Sequence, residues 1–108
     1  MEVVSSQHYL DMDKVEEKKA EMLAAGTTKI TLPCWMIGEV DGKELAILSD
    51  GHHRYEAAKE LGVEVVFDFD DDPEGLTGEN ALNVRWMDGD WYYVTTSDVA
   101  HEEYDFVW

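Results

Sequence analysis

The sequence predicts a small α+β domain, a mixed sheet with helices packed on it. Three observations predict it. Two helix-like stretches, 13–25 and 52–61, each stop at a glycine, Gly26 and Gly62. Runs of strand formers lie between and after them. The turn signals Asp41-Gly42 and Asp88-Gly89 each sit between two such runs. The resulting order, helix, hairpin, helix, strand, hairpin, is an α+β pattern. No repeat, linker or low-complexity segment divides the 108 residues, so 1–108 reads as one domain.

Each element has its own signal. Residues 1–4 read as a short first strand. Asp13-x-x-Glu16 resembles a capping box that opens a helix to Ala25. Its core face is expected from Met12, Val15, Met22, Leu23 and Ala25. Glu16 with Lys19, and Lys18 with Glu21, fall at ion-pair spacing on the solvent side. Residues 30–40 and 45–48 flank Asp41-Gly42 as a hairpin. The apolar run in 63–69 suggests a buried strand, followed by a loop over 70–75. Residues 79–82 suggest one helical turn. Runs 84–87 and 91–95 flank Asp88-Gly89 as a second hairpin, and Ser97 is placed to cap a last short helix through Glu103.

Composition bounds the function. Hydrophobic residues make up 44%, enough for a packed core despite the charge. Twenty-five acidic residues against eight basic ones give a net charge of −17. That field repels nucleic acid and anionic membranes and attracts a basic protein partner. The sequence therefore predicts no direct nucleic-acid binding and no membrane association. No apolar run has the length of a membrane span, and 1–4 lack a signal-peptide pattern, so the expected location is cytoplasmic. The single Cys34 cannot form an internal disulfide and reads as a small core residue.

The chemistry concentrates at Asp50-Gly51-His52-His53-Arg54. An apolar strand, a glycine turn and a helix beginning His-His-Arg build a place for an anion, because the first helical N–H groups and the positive dipole end face it. Arg54 adds a planar fork of donors suited to phosphate or carboxylate. Helical spacing puts Arg54 on the side of Ala57, Ala58 and Leu61, the expected core side. An arginine there must find a partner. Two stay open: a bound phosphate, or a structural acceptor such as a loop carbonyl or Asp50.

Two further constellations stand out. Asp68, Asp70 and Asp72, followed by Glu74 and Glu79, space oxygen ligands like a calcium loop, but Pro73 stands where such loops need glycine. The same carboxylates read otherwise as a solvated acidic loop, or as a row that imitates nucleic-acid phosphates. Trp86, Trp91, Tyr93 and the terminal Trp108 are candidate protein-interface anchors. Alternation along 91–94 predicts at least one aromatic side outside the core. The alternative is core cover and cross-strand pairing. His8 and His101 have no metal-ligand partners at a telling spacing.

The thirteen residues 50–62, Asp-Gly-His-His-Arg-Tyr-Glu-Ala-Ala-Lys-Glu-Leu-Gly, resemble the signature of the ParB/sulfiredoxin superfamily. The likeness is nearest to members with an Asp-Gly-His-His-Arg box, which include free-serine kinases. It extends weakly through 1–70 and leaves 71–108 as an unassigned extension. The resemblance implies a ParB/sulfiredoxin-like domain in which Gly51, His52, His53 and Arg54 hold the phosphates of a nucleotide. It implies ATP, ADP or CTP with magnesium as the candidate ligands, and Asp50 as the candidate catalytic residue at the lip. The departures redirect the function. His52 replaces the catalytic cysteine of sulfiredoxins, and no helix-turn-helix of the ParB kind follows the box. The expected function is a regulatory or binding module. The alternatives are a phage- or plasmid-encoded acidic DNA mimic and a small nucleotide-dependent phosphotransferase. A homo-oligomer is compatible with the aromatic tail.

Overall fold

The computed structural model describes residues 1–94. The predicted helix from Ser97 and the interface candidate Trp108 lie outside the described residues. Among the described residues the architecture is α+β, with a five-stranded mixed sheet and three helices. The elements are β1 (Glu2–Ser5), α1 (Met12–Ala25), β2 (Lys29–Val40), β3 (Lys43–Leu48), α2 (His52–Leu61), β4 (Glu64–Asp71), α3 (Gly78–Val84) and β5 (Tyr92–Tyr93). The strand order is β4-β2-β3-β1-β5. β2 runs parallel to β4 and antiparallel to β3; β1 runs parallel to β3 and antiparallel to β5.

Central position explains the apolar run at 45–48. β3 is the middle strand, and Leu45 to Leu48 are all buried. Leu45 and Ile47 join one core with Ala81, Leu82 and Trp91, under α3. Ala46 and Leu48 join the opposite core with Leu32 and Cys34. α1 and α2 add Val15, Met22, Ala57 and Ala58, which pack against Ile30 and Val65. A strand covered on both faces loses the polar half of its alternation. Cys34 lies wholly inside, and burial pushes its thiol up to about 12.

The turns follow their residues. Asp41 and Gly42 take φ of 52° and 81°, the primed turn that matches strand twist. A register shift between Met36 and Gly38 puts both Ile37 and Val40 on the α3 side. The α1 helix starts earlier than the capping box predicts. Asp11 is its N-cap, accepting from the Asp13 N–H at 3.0 Å. Only Val15 and Met22 of the expected face are buried, while Met12 and Leu23 are exposed. The helix is short of apolar residues, and α2 offers it only a narrow alanine seam.

Three expectations are overturned. First, β4 is an edge strand, not a buried one. Its odd positions Val65 and Phe67 pack inward, while Glu64, Val66, Asp68 and Asp70 are exposed. Val66 alone disguises an ordinary two-residue alternation as an apolar run. Second, Asp88-Gly89 closes no hairpin. The segment 84–87 is the end of α3 and a turn, and β5 pairs with β1, Val4 opposite Tyr93. The Asp88 and Gly89 N–H groups instead donate to the Ser6 carbonyl. Third, both sides of 91–94 are covered. Trp91 lies in the core under α3, and Tyr92 and Val94 lie in the opposite one.

Candidate functional site

The site forms where β3 leaves the sheet and α2 begins. Gly51 is the α2 N-cap, with φ of 89°. A Cβ there would lie 2.6 Å from the Leu32 side chain and 3.2 Å from an Arg54 guanidinium nitrogen. Glycine is required twice, for the backbone conformation and for the close packing beneath it. Among the described residues no side chain caps the helix. The first helical bond is from the Tyr55 N–H to the Gly51 carbonyl. The N–H groups of His52, His53 and Arg54 therefore have no acceptor among the described residues, as expected for an uncapped first turn.

These groups open on a cleft of about 300 Å³ lined by Gln7, Lys18, Asp50, Gly51, His52, His53 and Arg54. Arg54 is half-buried, with its guanidinium lying over Gly51. Among the described residues no carboxylate lies within ion-pair distance of it, Asp50 included. The Asp50 carboxylate instead accepts from the Gly51 N–H at 2.8 Å. Of the two partners left open for Arg54, the structural carboxylate is thus not used. Lys18 reaches the cleft from α1, with Glu21 beside it at 3.7 Å.

The two histidines do different work. His52 is buried, and its Nε2 hydrogen-bonds the Ser5 hydroxyl at 2.7 Å. Desolvation pushes its imidazole down to about 4, although Asp50 pulls the other way. His52 is therefore a neutral tether between α2 and β1 at neutral pH, and does not supply a cation to the cleft. Its backbone N–H remains available. His53 is half-buried, and its Nε2 accepts from the Asp11 N–H at 3.1 Å. That bond needs a lone pair on Nε2, so the ring proton sits on Nδ1. It ties the start of α1 to the start of α2.

Sequence reasoning missed these supports. Ser5 also accepts from the Gln7 N–H, and Tyr92 donates to the Gln7 carbonyl at 2.7 Å. Ser6 accepts from the Met87 N–H, and Asp88 accepts from the His8 and Tyr9 N–H groups. The segment 85–92 thereby fixes the strand exit that forms one lip of the cleft. No local pattern signals partners 81 or 85 residues apart.

The other candidates part company with the cleft. Asp68 and Asp70 lie within β4, so they form no loop, and Asp72 is committed elsewhere. The Asp72 carboxylate takes two hydrogen bonds from Arg85, at 2.8 and 3.0 Å, and one from the Glu74 N–H. Those bonds hold it below the usual carboxylate range. Arg85 in turn stacks on Trp35 at 4.5 Å. Among the described residues no three His, Cys, Asp or Glu side chains gather as a metal site. Of the aromatic anchors, Trp91 is buried and withdrawn from any surface, Tyr93 is half-buried, and Trp86 is 53% exposed.

No family model, curated protein or solved structure matches this chain. Among the described residues no helix is long and apolar enough to cross a membrane.

Proposed function

We propose that this protein is a phosphate- or nucleotide-binding module with a regulatory role, which does not itself bind nucleic acid. The observation that carries this reading is the α2 first turn, uncapped among the described residues, with Arg54 beside it and no described carboxylate paired with that arginine. A phosphate there would accept from backbone N–H groups and from the guanidinium together, and charge-assisted bonds of this kind are the strong ones. His52, His53 and Arg54 would contribute backbone donors, Arg54 and Lys18 charge, Gly51 the close approach, and Asp50 the lip. The likeness of 50–62 to ParB/sulfiredoxin boxes supports ATP, ADP or CTP, with magnesium offsetting part of the −17 field.

Thermal unfolding with each nucleotide, with and without magnesium, tests the reading. A ligand at about a hundred times its Kd adds about 2.7 kcal/mol, several degrees in Tm. Arg54→Ala is expected to abolish the shift. No shift with any of the three nucleotides sinks the proposal. Assay of ADP release from ATP in the same samples separates simple binding from a phosphotransferase using Asp50.

A second reading, an acidic inhibitor that occupies the basic site of a nucleic-acid-binding protein, is favoured by one observation. Asp68, Asp70 and Asp71 are all exposed on one stretch of β4. It requires salt-sensitive binding that DNA competes away.

A further inference from the structure

The second edge feature of the sheet has no role in the cleft. Among the described residues β4 pairs with β2 alone, in an unbroken parallel register from Glu64 to Asp71. No strand among the described residues pairs with its other side. The Glu64 N–H donates to the Thr28 carbonyl, on the β2 side. Backbone groups alternate in direction along a strand, so Val65, Phe67 and Phe69 turn theirs outward. An unpaired edge of this length is a template for another strand.

The one guard on this edge among the described residues is negative charge. Lysine, proline and bulges protect most edges, and β4 contains none of them. It carries Glu64, Asp68, Asp70 and Asp71 instead, with Val66 and Phe69 each 37% exposed. A second copy is the wrong occupant. Pairing two β4 strands through 68–71 sets carboxylates against carboxylates, which destabilises a strand pair.

We propose that this edge of β4 takes an extended lysine- or arginine-rich segment of a partner protein as an added strand. The backbone ladder supplies affinity, alternate basic side chains meet Asp68 and Asp70, and apolar ones cover Phe69. The proposal is independent of the phosphate reading.

The test uses the octapeptide (Lys-Val)4, with (Lys-Pro)4 as a control of equal charge that cannot form a ladder. Amide hydrogen exchange is followed by NMR on the full chain. With (Lys-Val)4, exchange at Val65, Phe67 and Phe69 slows at least about tenfold, a change of about 1.4 kcal/mol in opening. Asp68→Lys with Asp70→Lys abolishes the slowing. Both positions are exposed, and retained protection of the Leu45–Leu48 amides confirms that the variant is folded. Three outcomes overturn the proposal. One is equal protection by (Lys-Pro)4. Another is diffuse shifts over the acidic surface with no protection of β4. The third is protection that grows with protein concentration in the absence of peptide, which would assign the edge to a second copy.

Discussion

Two strands of one sheet leave it through turns of opposite character. β3 exits through Asp50-Gly51 into α2, and β4 exits through 72–77 into α3. Each turn has an arginine close by, and the two arginines are used differently. Arg85 meets Asp72, Glu74 and the Trp35 ring. Arg54 meets no carboxylate among the described residues and lies over uncapped helical N–H groups. An arginine whose donors are consumed by its own fold is structural. An arginine whose donors are left beside other donors marks a place where the anion comes from outside.

The comparison breaks first at its glycines. Gly51→Ala is expected to cost about 3 kcal/mol, from a disfavoured positive φ and contact with Leu32. Gly75→Ala, with φ of 70° and open space around it, is expected to cost about 1 kcal/mol. Urea denaturation measures both, and equal costs would remove the close-packed floor from the description of the cleft.

Protonation gives an effect of similar size. Burial holds the His52 imidazole at about 4, below its ordinary 6.5. As pH falls below 6.5, the unfolded chain takes up this proton before the folded one does. Stability conferred by neutral His52 is thus full above about pH 6.5 and drains away toward about pH 4, by about 3 kcal/mol in all. His52→Gln is expected to lose that slope. Urea midpoints of the two proteins across this window check it, and parallel curves would place His52 in solvent.

The arginines sharpen the comparison further. Arg85→Ala leaves the Asp72 carboxylate buried without its partner and is expected to lower Tm by about 5 °C. Arg54→Ala is expected to leave Tm within about 2 °C while removing phosphate affinity. Calorimetric melting of the two variants checks the ordering. A larger drop for Arg54 would make it the structural arginine.

The sequence carried some of this better than the rest. Asp41-Gly42 and Gly62 mark their turns because positive φ is a local demand with a local residue signature. Leu45 to Leu48 mark a strand by their apolar run, and the structure adds that it is the central one. The cleft was legible at Gly51 and Arg54 for the same local reason. The neutrality of His52 was not legible, because it comes from burial beside Ser5, contributed by β1. The β4 edge was misread because Val66 breaks an alternation that only the neighbouring strands reveal. Asp88-Gly89 has the letters of a hairpin turn, but its flanking segments pair with residues 6–9 and with β1 instead. Long-range partners leave no mark on a single chain read in sequence.

The central claim is that the α2 first turn receives an external phosphate. The most direct measurement is an NMR titration of the backbone amides with inorganic pyrophosphate. The account predicts saturable shifts concentrated at Gly51, His52, His53 and Arg54, absent in Arg54→Ala. Shifts that spread along the chain, or that persist unchanged in Arg54→Ala, would contradict it.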